Sequence, residues 1–106
     1  MRRGPPGQKE PRPPRDFAYM AAVKSLPCCV CGKPGPSDAH HPICGRYSFR
    51  RAPDADAIPL CKRHHQNGPD AIHNGKEGWV ARFGPDTRYI KRTRQALARR
   101  GVYPVS

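Results

Sequence analysis

Two short residue pairs constrain this chain more than any other feature. Cys28 and Cys31 are separated by two residues, as are Cys61 and His64, and the pairs lie about thirty residues apart. A two-residue gap lets one tight turn aim both side chains at the same ion, and two such turns complete a tetrahedron. The spacing therefore predicts a Cys3His site of the structural zinc kind, with Gly32 easing the turn after the second cysteine. A staple is needed: the chain has 106 residues, of which 36% are hydrophobic and 24 are Pro or Gly. So small and apolar-poor a domain depends on disulfides or a metal. Cys29 and Cys44 are left over. Cys29 could replace Cys28, although its spacing to Cys31 fits less well, and Cys44 reads as a small thiol rather than a ligand.

The beginning of the chain carries charge but no apolar segment behind it, so no secretory signal is expected. The longest apolar run, Phe17 to Val23, has seven residues and is too short to cross a membrane. These features predict a cytoplasmic protein, in which disulfides are not expected.

Residues 1–15 hold five prolines, five basic residues and no large apolar side chain, and they read as a disordered basic arm ahead of one domain, 16–106. Asp16 is placed to cap a helix to about Leu26, with Phe17, Met20, Val23 and Leu26 forming its core-facing stripe and Tyr19 inside the same arc. A short hairpin is expected from strands near 38–43 and 57–60, and its connection carries Arg46, Arg50 and Arg51. Cys61 to Gln66 opens a helix that Asn67-Gly68-Pro69 interrupts. A further helix is expected around 75–83, anchored by Trp79 and Phe83. Asp86 is expected to cap a last helix to about Arg100, with Ile90 and Leu97 inward. Arg88, Arg92, Gln95 and Arg99 share another of its faces. The fold class is thus α+β.

The net charge is +12, and the arm with segment 82–100 supplies ten of those charges. Such a surface attracts a polyanion, most simply nucleic acid.

Four histidines remain after His64: His40, His41, His65 and His73, all bracketing the proposed hairpin and helix. Neighbours on a strand point to opposite faces, so His40 and His41 cannot both bind one metal by simple strand geometry. One could hold a metal while the other acts as base on a water. His65 points about 100° away from His64 on a helix and can serve a second site. His73 must return to it from a loop or a second helical segment.

Taken together, Pro27-Cys28-x-x-Cys31-Gly32, Ala39-His40-His41, Pro59-Leu60-Cys61-x-x-His64-His65 and Ile72-His73 resemble the HNH nucleases with the ββα-metal (His-Me finger) motif, and among them the phage recombination-enhancement-function nucleases. The resemblance covers about residues 17–95. It implies a small ββα-metal domain with a zinc staple and flanking helices, in a phage or prophage protein of a bacterial or phage-infected cell. It implies that His40 binds a catalytic divalent metal (Mg, Mn or Zn), that His41 is the general base, and that His65 and His73 complete the metal site. Two positions depart from the pattern. His65 and His73 are eight apart where the family's histidines lie about one turn apart, and Asp56 stands where the family often has its asparagine. An aspartate there could still orient the base, or could simply be a turn residue. The activity implied is metal-dependent hydrolysis of phosphodiester bonds, with DNA nicking and weak sequence preference expected. Arg46, Arg50, Arg51, Arg88, Arg92 and Arg99 would contact nucleic acid. Some relatives act with a recombinase filament, a partner the resemblance also suggests. The competing reading is a non-catalytic zinc-stapled nucleic-acid binder, which explains the charge and the first cluster but not the four histidines.

Overall fold

The computed structural model describes residues 15–45 and 51–104. Residues 1–14 of the arm expected over 1–15, together with Arg46 and Arg50, lie outside them. The domain is α+β. Helix α1 (Phe17–Lys24) is followed by strand β1 (Asp38–His40), strand β2 (Ile58–Leu60), helix α2 (Lys76–Phe83) and helix α3 (Ile90–Ala98), with short helical turns at 54–56, 63–67, 72–74 and 86–89. The strands pair antiparallel, with Asp38 opposite Leu60, Ala39 opposite Pro59 and His40 opposite Ile58.

Strand alternation explains two hydrophobic clusters. Cross-strand partners share a face and neighbours take opposite faces. Ile58 and Leu60 pack with Cys28, Cys61, Ile72, Trp79 and Tyr89. Ala57 turns the other way and meets Tyr19, Val23 and Leu26 of the α1 segment and Leu97 of α3. His40 and Asp38 share the Ile58 and Leu60 face, on which the first cluster lies and to which His65 and His73 come.

Asp16 caps α1 as its sequence suggests, accepting a hydrogen bond from the Tyr19 amide at 3.1 Å. The buried stripe differs from the expected one. Tyr19, Val23 and Leu26 are buried, whereas Phe17 faces solvent. Phe17 and Tyr19 both fit a broad apolar arc, and the tertiary partners on the Ala57 side select Tyr19. The last helix also departs from expectation. Its first turn, Asp86–Tyr89, is tight, the α-helix proper begins at Ile90, and Asp86 makes no capping bond. Its carboxylate is wholly buried and turned towards the hairpin. Leu97 is fully buried as expected, while Ile90 is partly covered. Gly101 ends the helix at φ 76, with the Val102 amide donating back to the Leu97 carbonyl. Among the described residues no helix is long and apolar enough to cross a membrane.

Candidate metal centres

The first cluster is built by two turns docked on each other. After Pro27, the chain folds so that the Gly32 amide donates to the Cys28 carbonyl at 2.8 Å and the Cys28 amide to Lys33 at 2.9 Å. Gly32 has φ 76, a conformation that costs a residue with a Cβ. The Cys29 amide donates to the Pro59 carbonyl, fastening this knuckle to β2. At the other end of β2, the His64 and His65 amides both donate to the Cys61 carbonyl. The ligand atoms of Cys28, Cys31, Cys61 and His64 consequently lie within 4.8 Å of one another. The Cys31 and Cys61 sulfurs are 3.8 Å apart, and His64 Nδ1 is 3.2 Å from Cys61 Sγ. Sulfurs held about 2.3 Å from one tetrahedral ion sit roughly that far apart, so the donor set fits a bound metal and is compatible with structural zinc. Cys29 stays outside the set; burial first, and the neighbouring Cys28 sulfur next, push its thiol up to about 12. Cys44 is likewise outside it.

The second cluster is His40, His65 and His73, whose ligating nitrogens also lie within 4.8 Å of one another. The eight-residue separation of His65 and His73 is spanned by a broken helix. The Gly68 amide closes a wide turn on the Arg63 carbonyl, and a Cβ on Gly68 would sit 2.8 Å from that oxygen. Asn74 then donates to the carbonyls of Gln66 and Gly68, both at 2.9 Å. These bonds fold the 66–71 excursion back so that His73 Nε2 comes within 3.2 Å of His65 Nε2.

Carboxylates fix the tautomers. Asp86 is held down to about 2: burial opposes ionisation, but His40 and the Ile43 and Cys44 groups outweigh it. Its ionised Oδ2 accepts from His40 Nε2 at 2.8 Å, which leaves Nδ1 as the lone-pair nitrogen. Asp38 Oδ2, also held ionised, accepts from His65 Nδ1 at 3.0 Å and leaves Nε2 turned towards His73. Burial pushes the imidazoles of His40 and His65 below their ordinary value, against the pull of these carboxylates. Neutral imidazoles oriented through the second nitrogen are the usual supporting arrangement of metal-binding histidines. Asp86→Asn is therefore expected to weaken divalent-ion binding here by 10- to 100-fold. It would place an NH2 group against the Ile43 or Cys44 amide. Calorimetric titration with Mn²⁺ on protein loaded beforehand with zinc measures this.

His41 lies just past β1 and does not join the trio. Its Nε2 donates to Asp54 Oδ1 at 2.7 Å. Asp54 is 2% exposed, and its other oxygen accepts from the Asp16 amide at 2.7 Å and from Arg15 Nε at 3.0 Å. Burial raises its pKa, but these donors outweigh burial and bring it to about 2. The stability this carboxylate contributes is thus complete above its ordinary 3.8 and is lost as pH falls through about 2. Asp56, the position expected beside the base, points elsewhere. Arg94 clasps its carboxylate and also donates to the Ala55 carbonyl, so Asp56 buttresses the 54–56 turn while Asp54 holds His41.

Of the arginines expected to meet nucleic acid, Arg51, Arg88, Arg92 and Arg99 are exposed. Arg88 and Arg92 lie over the Tyr89 ring at 6.0 and 5.9 Å.

A small α+β domain with two candidate metal centres is the class these features define. The chain belongs to the family described as "Protein of unknown function (DUF968)", whose profile matches residues 9–100. No curated protein and no solved structure matches the chain.

Proposed function

We propose that the chain is a metal-dependent endonuclease of the HNH, ββα-metal type, stapled by zinc at Cys28, Cys31, Cys61 and His64. The reading rests on one observation above all: His40, His65 and His73 converge while His41, next in sequence to His40, is held by a separate carboxylate. A bland zinc-stapled binder has no use for that division of labour.

The roles follow from the tautomers. His40 through Nδ1, and His65 and His73 through Nε2, would hold the divalent ion. When bound, the ion supplies Lewis-acid stabilisation of charge at the scissile phosphate. His41, donating Nε2–H to Asp54, presents Nδ1 as the acceptor for a proton from water. The water oxygen forms a bond to phosphorus as the bond to the 3′-oxygen breaks, and the leaving oxygen takes its proton from solvent. Arg51, Arg88, Arg92 and Arg99 offer sequence-independent phosphate contacts. A single site of this kind cuts one strand at a time, so nicking is the expected product on a supercoiled plasmid.

The test uses purified zinc-loaded protein and supercoiled plasmid, with and without Mg²⁺ or Mn²⁺. Nicking that requires the divalent ion and falls at least 100-fold in His65→Ala is the expected result. A folded wild type that binds DNA and never nicks it favours the binder.

A further inference from the structure

Among the described residues, Phe17 and Tyr103 are the exposed large hydrophobic side chains, and Phe17 is 71% exposed. Since α1 turns Tyr19 and Val23 into the core, Phe17 projects away from that packing. The Arg15 guanidinium lies 4.8 Å over its ring. The same Arg15, 41% exposed, donates to Asp54 Oδ2, while Asp54 Oδ1 holds His41. An exposed aromatic ring and a planar cation are thereby tied, through one buried carboxylate, to the residue read above as the general base.

We propose that Phe17 and Arg15 form a ledge that receives an unpaired nucleobase of single-stranded DNA beside the bond His41 serves. The inference rests on the nuclease reading for its place next to the reaction, and it narrows the substrate class to unpaired strands, such as negative supercoiling opens in a plasmid, rather than continuous relaxed duplex. An aromatic face stacks on any base, and a guanidinium plane adds attraction to the ring and to the adjacent phosphate. Bases inside a duplex are already stacked and have no face to give. The nearby acids do not repel the strand strongly, because Asp54 is paired with Arg15 and His41 and Asp56 with Arg94. The chain's charge of +12 supplies the general attraction to a polyanion.

The experiment is a fluorescence titration of zinc-loaded Phe17→Trp with oligothymidylate and with a blunt duplex of equal length, no catalytic divalent ion being added. Wild type provides the background, since its one tryptophan, Trp79, is 2% exposed. Quenching by the single strand, at concentrations where the duplex leaves the indole unchanged, is expected. In parallel, Phe17→Leu keeps apolar volume without a flat ring and is expected to weaken single-strand binding about tenfold, with Phe17→Tyr restoring it and duplex binding unmoved. Equal quenching by duplex, or wild-type single-strand affinity in Phe17→Leu, overturns the ledge. Adding Mg²⁺ or Mn²⁺ separates the two readings. Single strands held through Phe17 but never cut remove the nuclease and leave the ledge, whereas cutting with unaltered binding by Phe17→Leu does the reverse.

Discussion

Cys61→Ser, or removal of the first metal by a strong chelator at neutral pH, is expected to unfold the domain rather than merely weaken it. Cys61 belongs to the donor set and also to the cluster of Ile58, Leu60, Ile72, Trp79 and Tyr89. The strands are only three residues long and the helices eight or nine, so neither sheet nor helix persists alone. Binding of structural zinc in small domains is worth about 10–16 kcal/mol, as much as the whole stability of an ordinary domain, about 5–15 kcal/mol. Losing it leaves no margin. Far-UV circular dichroism and zinc release followed with a chromogenic chelator are expected to change together. A metal-stripped chain that keeps its spectrum and a cooperative thermal transition would sink the staple. Cys29→Ser is the matched control, since Cys29 lies outside the donor set, and it is expected to keep its metal.

What the sequence disclosed and what it hid divide along the distance of the interaction. The cysteine pairs were legible because each is a local turn whose spacing alone aims two ligands. The hairpin and the helices were legible in outline for the same reason, and so was the cap of α1 by Asp16. The second centre was legible only as a set of histidines. Joining His65 to His73 required Asn74 to bridge back to Gln66 and Gly68, and an asparagine after a Gly-Pro break carries no such signature. The carboxylates were the hardest to place. Asp86 stands 46 residues from His40 and Asp54 38 from the Asp16 amide, and both resemble ordinary turn or cap residues in their own neighbourhoods. Asp86 sits where a helix cap would sit, and the three donors on the hairpin side outcompeted that local role. Asp54 and Asp56 are two residues apart on one short turn, so family spacing pointed to the one that Arg94 takes. Phe17 shows the same limit from the apolar side, because a helical period defines an arc and only the tertiary neighbour decides which edge of it is buried.

His41→Ala is expected to cut strand cleavage by 10²- to 10⁴-fold while both metal centres and the thermal transition are kept. The side chain is partly exposed and belongs to neither donor set, so its removal does not touch the staple. Single-turnover cleavage by zinc-loaded protein, with metal content checked, measures the loss. Activity within a few-fold of wild type would mean that water is activated elsewhere. Asp54→Asn then asks how the base is held. Asparagine can still accept from His41 through its oxygen, but its NH2 group must face the Asp16 amide or Arg15, which are donors. A loss smaller than that of His41→Ala is expected. Wild-type activity in Asp54→Asn would assign Asp54 to packing the Asp16 turn and leave the orientation of His41 to its backbone.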